Sequence, residues 1–257
     1  MKTVTLPLQS IHKGNLILVN GGYPYREEYA ETVFAPINDE NSHILLDRHV
    51  VTLLSQIMDE LNGWEKITAV SGWRSRQEQQ EIYTKSLQDS GRTFTEKFVA
   101  RPGCSEHQTG LAIDLALKQK KIDFICPDFP YTGICQSFRQ KSISFGFIER
   151  YPQAKESMTG IGHEPWHFRH VGTPHAEIMK LQGFVLEEYI NFLKQYRYGE
   201  NSYFYNTAHL RVVISFLKAN KTTDTQFEID SCVPYSVSGN NVDGFIITEW
   251  RKQNEGY

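Results

Sequence analysis

Ser105-Glu106-His107-Gln108-Thr109-Gly110-Leu111-Ala112-Ile113-Asp114-Leu115-Ala116-Leu117 is the stretch that decides how this chain folds. Its second half alternates. Leu111, Ile113, Leu115 and Leu117 fall on one face, and Ala112, Asp114 and Ala116 on the other, the period of two that predicts a strand over 111–117. The bulky face needs a core to cover it. The opposite face sets one carboxylate, Asp114, among small alanines. A cavity wall has that composition, and so does a crowded sheet face. His107 lies just upstream of the strand.

A second segment, His163-Glu164-Pro165-Trp166-His167, matches His-Glu-x-x-His letter for letter. In zinc proteases that motif lies on a helix, so that both histidines share a face. Pro165 excludes a helix here. It removes a donor, pushes Glu164 out of the α region, and costs about 3 kcal/mol inside a helix. Trp166, Phe168 and His170 alternate with His167 and Arg169, so a strand is predicted over 166–171, and His163 becomes a neighbour rather than a ligand. The two segments then offer His107, Asp114 and His167 as three metal ligands, with Glu164 as a carboxylate beside the third. Three protein ligands leave one tetrahedral position open for a water, as a catalytic zinc requires. Such an ion lowers the pKa of the water, and a nearby carboxylate takes its proton. The pattern reads as a zinc hydrolase. On periodicity alone, however, His107 and Asp114 read equally well as an exposed turn histidine and a solvated strand aspartate.

Outward from these segments, residues 1–45 are rich in turn signals, Gly21-Gly22, Pro24 and Pro36 among them. Val50, Val51, Leu53, Leu54, Ile57, Met58 and Leu61 predict a helix over 47–61, stopped by Gly63. A strand follows over 66–73. Ser75-Arg76-Gln77-Glu78 fits a capping box and predicts a helix from about Arg76 toward Ser90. A short helix is expected over 137–146 and another over 185–196, with Leu186, Tyr189, Ile190 and Leu193 on one stripe. The segment 118–131, rich in Asp and Pro, reads equally as a lid or as a solvated loop. After about residue 195 the chain changes character. An Asn-Asn-x-Asp-Gly turn (240–244) precedes the β-rich run Phe245-Ile246-Ile247-Thr248, and the lone His209 suggests no metal site there.

Composition sets the bounds. A chain of 257 residues, 40% hydrophobic and 12% aromatic, supports one large domain, or one domain with an appendage. A net charge of −3 without a basic stripe argues against a nucleic-acid partner. No apolar run approaches a membrane span. Gln9, Ser10, His12 and Lys13 interrupt what would be a signal-peptide core, so a cytoplasmic location is expected. Cys104, Cys126, Cys135 and Cys232 form no Cys-x-x-Cys pair, which excludes a cysteine-rich zinc knuckle. Cys104 reads as a packing residue rather than a nucleophile.

Ser105-x-His107-x-x-Gly110-x-Ala112-x-Asp114, followed by Glu164-x-Trp166-His167, resembles the zinc D,D-peptidases of the VanX/VanY group, which are related to the zinc site of hedgehog signalling domains. Ser71-Gly72-Trp73-Arg74-Ser75 matches that group's Gly-x-Arg-Ser segment. Pro102 to Gln108, Ile125-Cys126-Pro127 and Gly146-Phe147-Ile148-x-Arg150-Tyr151-Pro152 are similar to the VanXY type in particular. These are single-chain enzymes of vancomycin-resistance clusters that combine D-Ala-D-Ala dipeptidase and D,D-carboxypeptidase activity. The resemblance covers about residues 15–190. It implies an α+β fold, with a small mixed or antiparallel sheet flanked by helices. A catalytic domain over 1–195 and a small C-terminal extension of unknown role over 196–257 are then expected.

By position, the resemblance implies a Zn²⁺ ion on His107, Asp114 and His167. It makes Glu164 the catalytic base, Arg74 the stabiliser of the developing oxyanion, and Ser105 and Gln79 contacts to the substrate carboxylate and backbone. The expected substrates are D-Ala-D-Ala and the UDP-muramyl pentapeptide, with D-Ala-D-Ser disfavoured by at most about 10²-fold, because apolar packing rejects one added hydroxyl poorly. Two alternatives are a murein endopeptidase and a non-catalytic zinc-bearing binding module. The first calls for export and a wall-binding repeat, and the second has no use for Glu164 or Arg74.

Overall fold

The bulky face of the decisive strand does meet a core. In the structure, a computed structural model that describes residues 1–207 and 209–252, Ile113 and Leu115 lie in one buried cluster with Leu54, Ile57, Phe138 and Phe168. Positions 253–257 of the expected extension lie outside the described residues.

The chain opens with β1 (Lys2–Leu6). A short hairpin of β2 (Phe34–Pro36) and β3 (Leu45–Asp47) then leads into α1 (Arg48–Leu61). The Asp47 side chain caps α1 by accepting from the His49 and Val50 amides. Its far end differs from the expectation. Asn62, at φ 48°, takes the left-handed position, and Gly63 starts a separate 3-10 turn. β4 (Ile67–Ser71) is followed by α2 (Arg76–Phe98), which begins with the predicted Ser75–Glu78 capping box. Gly91 is non-helical, at φ 78° and ψ 171°, so α2 is two helical runs meeting near the expected end.

β5 (Ala112–Leu117), α3 (Gly133–Lys141), β6 (Phe147–Tyr151), α4 (Glu156–Thr159), β7 (Glu164–His170) and α5 (His175–Gln182) follow. The short helix expected over 137–146 starts earlier, as α3, and finishes as a 3-10 turn over Ser142–Phe145. α6 (Leu186–Leu193) precedes five strands: β8 (Tyr203–Asn206), β9 (Leu210–Lys218), β10 (Thr225–Ile229), β11 (Tyr235–Gly239) and β12 (Gly244–Lys252).

These elements form two compact units. Residues 19–185 make one, and residues 1–18 with 186–257 make the other. The first is the expected α+β arrangement, a four-stranded antiparallel sheet in the order β4-β5-β7-β6 with helices packed on it. Residues 1–18 and 186–195, expected in the catalytic domain, group with the C-terminal strands instead. For the opening segment the reason is main-chain pairing: β1 lies antiparallel to β10, from Lys2 opposite Ile229 to Leu6 opposite Thr225, while α6 packs on β9. The rest of that unit is a sheet in the order β11-β12-β9-β8. Its predicted turn is held by one side chain, since Asn240 Oδ1 accepts from the amides of Val242, Asp243 and Gly244.

Strand β7 carries the irregularity that matters for the site. It advances four positions, from Glu164 to Phe168, across the span where β6 advances two, between Tyr151 and Glu149. Pro165 falls inside that bulge, where no ladder bond from its nitrogen is needed.

Buried titratable groups outside the site set a pH limit on the fold. His175 opens α5, and burial pushes its imidazole down to about 4. The folded state resists protonation there while the unfolded chain accepts it near 6.5. The stabilisation is therefore complete above pH 6.5 and is lost as pH falls toward 4, by about 3 kcal/mol for this group. Thermal unfolding followed between pH 7 and pH 4 should show this acid limb, and His175→Leu should make it shallower.

Candidate active site

Three neighbouring strands and one short turn supply the site. Asp114 on β5 is the direct cross-strand partner of His167 on β7, and Ser71 at the end of β4 lies opposite Asp114 on the other side. His107 comes from the 3-10 turn Glu106–Thr109, which Gly110 closes at φ 74°. A side chain on Gly110 would meet the Phe34 ring at 2.6 Å. Gly72 is constrained more severely, because a Cβ there would sit 2.3 Å from the Leu45 carbonyl oxygen. This close approach lets the Gly72 carbonyl accept from His107 Nδ1 at 2.6 Å. That bond puts the proton of neutral His107 on Nδ1 and leaves the Nε2 lone pair facing the cluster.

Asp114 ties the cluster together. Its Oδ2 is 3.0 Å from His107 Nε2 and accepts from Arg74 Nη2 at 2.9 Å, while Oδ1 is 2.8 Å from His167 Nδ1. One donor atom from each of His107, Asp114 and His167 falls within a 4.8 Å sphere of mutual distances, and all three residues are buried. A tetrahedral ion with bonds of about 2.0 Å spaces its ligand atoms by roughly 3.3 Å, so two imidazoles and one carboxylate here fit a zinc ion. Burial alone would raise the Asp114 carboxyl, but His107 and His167 override burial and hold it well below the usual carboxylate range. Burial pushes His107 down to about 4, with Arg74 adding to the effect. Burial acts on His167 in the same sense, but Asp114 outweighs it and raises His167 to about 9.

Glu164 opens β7, and its Oε2 is 3.8 Å from His167 Nδ1. In a regular strand, positions 164 and 167 point to opposite faces. The β7 bulge brings both to one cavity, which Trp166, Tyr151 and Phe124 also line. Burial pushes the Glu164 carboxyl up to about 8, against the pull of His167. Arg74 is fixed at three points. Its Nε donates to Ser71 Oγ at 2.7 Å, its Nη1 to Gln79 Oε1 at 3.2 Å, and its Nη2 turns to Asp114. The Phe124 ring lies 5.5 Å from the guanidinium carbon.

The remaining sequence-derived residues fall as follows. Ser105 and Gln79 both line the cavity. The amide of Gln79 is engaged at both ends, accepting from Arg74 and donating to the Ala100 carbonyl at 2.8 Å. His163 stands apart from the ligand cluster. It stacks on Tyr131, with ring planes 10° apart, and is 2.7 Å from its hydroxyl. All four cysteines are free, and burial raises the Cys104 thiol, which suits packing rather than nucleophilic attack. The 118–131 segment reaches the cavity through Phe124 and Ile125. His209 is exposed.

Sequence reading assigned no role to Glu106, Arg150, Arg169 or Tyr151. Glu106 forms ion pairs with Arg150 and Arg169, and all three side chains are 0% exposed. The Tyr151 ring lies 4.9 Å from that of His167. The available signal was an arginine inside each of β6 and β7, since an arginine buried in a sheet needs a buried partner.

Known proteins are similar to this chain in sequence and in structure. Residues 43–173 match the family described as VanY: D-alanyl-D-alanine carboxypeptidase. Over 184 residues the chain is 41% identical to the bifunctional D-Ala-D-Ala dipeptidase and D-Ala-D-Ala carboxypeptidase VanXYC of Enterococcus gallinarum, covering 70% of this chain and 95% of that protein. It is similar to the crystal structure of the vancomycin-resistance D,D-dipeptidase VanXYg in complex with a D-Ala-D-Ala phosphinate analogue. The TM-score is 0.94 at 47% identity, over 97% of this chain and 99% of that one. A VanY D,D-pentapeptidase variant from a VanB-type resistance cassette, solved in complex with Zn(II), matches with a TM-score of 0.58 at 30% identity, over 69% of this chain and 99% of that one. With a family match across half its length and a relative matched nearly from end to end, the chain belongs to the VanY family of D-alanyl-D-alanine carboxypeptidases.

Proposed function

We propose that this protein is a zinc-dependent D,D-peptidase that splits free D-Ala-D-Ala and removes the terminal D-Ala from muramyl pentapeptide precursors. Both acts deplete the D-Ala-D-Ala ends that vancomycin binds, and a UDP-linked precursor as substrate supports a cytoplasmic site of action. Among the described residues no helix is long and apolar enough to cross a membrane. The observation that carries the reading is the convergence of His107, Asp114, His167, Glu164 and Arg74 on one buried cavity.

His107 through Nε2, Asp114, and His167 through Nδ1 would hold the zinc. Bound there, the ion would polarise the scissile carbonyl and lower the pKa of the attacking water. Glu164 takes the proton from that water and hands it to the leaving amine. Burial raises the Glu164 carboxyl, and a bound cation beside it would favour the ionised form that accepts the proton. Arg74 is held on the cavity wall by Ser71, Gln79 and Asp114, so its guanidinium is a fixed cation beside the place where the oxyanion would develop. Gln79 braces Arg74 and lines the same cavity, where the substrate backbone would lie. Ser105, on the cavity wall, is placed to meet the substrate carboxylate. A binding module without turnover has no need of a buried carboxylate and a three-point guanidinium aimed at one spot.

The test is D-Ala release by zinc-loaded protein from D-Ala-D-Ala and from a UDP-muramyl pentapeptide. Release from both is expected. Glu164→Ala should bind zinc normally and lose release from both. Release from neither, with zinc bound, would overturn the reading. Arg74→Ala should retain zinc and lower kcat by roughly 10²–10³-fold, as loss of one preorganised oxyanion donor does.

Zinc uptake should also displace a proton. Asp114 keeps His167 protonated up to about 9, and an imidazolium has no lone pair for a metal. Zinc affinity should therefore rise with pH below about 9, by roughly tenfold per unit for one displaced proton. Calorimetric titration in buffers of different ionisation enthalpy measures the proton count directly.

A further inference from the structure

Glu106 immediately precedes His107 in sequence, yet its carboxylate reaches the other histidine. Oε1 accepts from Arg150 Nε at 2.8 Å and lies 2.9 Å from Arg169 Nη1. If the carboxylate served only these cations, both oxygens would turn to them. Instead Oε2 faces His167 Nε2 at 3.6 Å. Both atoms are buried, and neither has another hydrogen-bond partner among the described residues. The separation is longer than a formed hydrogen bond, but a small closing movement is the way open to either atom to be satisfied. The other ring nitrogen, Nδ1, points into the ligand cluster, 2.8 Å from Asp114 Oδ1 and 3.8 Å from Glu164 Oε2.

A neutral imidazole has one N–H and one lone pair, and whatever binds the first decides where the second points. We propose that Glu106 is a positioning residue that fixes the proton of His167 on Nε2, and thereby presents Nδ1 to the metal. Arg150 and Arg169 hold the carboxylate from behind, so Oε2 is left for a single donor. His107 reaches the same end by another route, because its proton is fixed by the Gly72 carbonyl. The two ligand histidines are thus oriented in opposite senses, one through Nε2 and one through Nδ1, each by its own acceptor. This inference rests on the zinc site proposed above.

Glu106→Gln gives a sharp test because a carboxamide cannot serve both sides. Arg150 and Arg169 only donate, so the amide oxygen must face them. The NH₂ then faces His167 Nε2 and favours the tautomer with its proton on Nδ1, the ligand atom. Zinc affinity, measured by competition with a chromophoric chelator, is expected to fall about 10–100-fold, as for loss of an outer-shell partner of a metal-bound histidine. An E106Q protein that folds and binds zinc as tightly as the unmodified chain overturns the proposal.

Two buried guanidiniums facing a neutral amide can prevent folding, so a second measurement uses the unmodified protein. In ¹⁵N spectra of the zinc-loaded enzyme, His167 should show a metal-bound Nδ1 and a slowly exchanging, downfield proton on Nε2. Zinc on Nδ1 alone would leave the Nε2 proton in fast exchange and without the downfield shift, so slow exchange and the shift are what report the Glu106 carboxylate. An Nε2 proton that exchanges rapidly and lacks the shift overturns the inference while leaving the zinc site intact, whereas failure of the unmodified chain to take up zinc overturns the site reading itself.

Discussion

A carboxylate buried in the middle of a sheet is costly unless it is surrounded by partners, and Asp114 meets that condition with Arg74, His107 and His167 at once. This single group ties together elements distant in sequence. It sits on β5, the strand next to both β4 and β7, and draws the end of β4, the turn before β5 and the centre of β7 to one point. Two of these partners are in turn held from outside the cluster, Arg74 by Ser71 and Gln79 and His107 by the Gly72 carbonyl. The site is therefore built inward, with outer contacts fixing the orientation of groups that all converge on one carboxylate. Such preorganisation keeps charge aimed where it is needed without reorganisation during reaction.

Glycine has a defined part in this. Gly72 permits an approach to the Leu45 carbonyl that any side chain would block, and the same peptide supplies the acceptor for His107. Packing of the β2–β3 hairpin and orientation of His107 are therefore coupled through one residue without a side chain. A substitution at Gly72 would reach the site through the backbone, with none of its side chains altered.

Much of this was legible in the sequence, and particular residues show why. Leu111 to Leu117 alternated clearly enough to place the central strand and to set Asp114 on its cavity side. Pro165 was enough to reject a helix that the letters of the motif suggested, and Ser75 with Glu78 announced the start of α2. What was not legible depends on register. The β7 bulge puts Glu164 and His167 on one side although strand parity separates them, and no local pattern reports how many residues the partner strand spends on the same distance. The pairing of β1 with β10 and the meeting of Glu106 with Arg150 and Arg169 are also non-local, joining residues tens to hundreds of positions apart. The Gln79 side chain was readable as part of the site, but its engagement with Arg74 was not, because side-chain direction off a capped helix depends on what the next segment places beside it.

The discontinuous unit bears on the order in which the chain acquires its structure during synthesis. Residues 19–185 form a continuous stretch with its own buried cluster, so every contact within it is available once that stretch has left the ribosome. β1 is made first but has to wait for β10, more than 200 residues later, before its main-chain donors and acceptors are paired. The peptidase half can thus be complete while the opening strand is still without its partner, and the last contacts to form join the earliest-made residues to some of the latest.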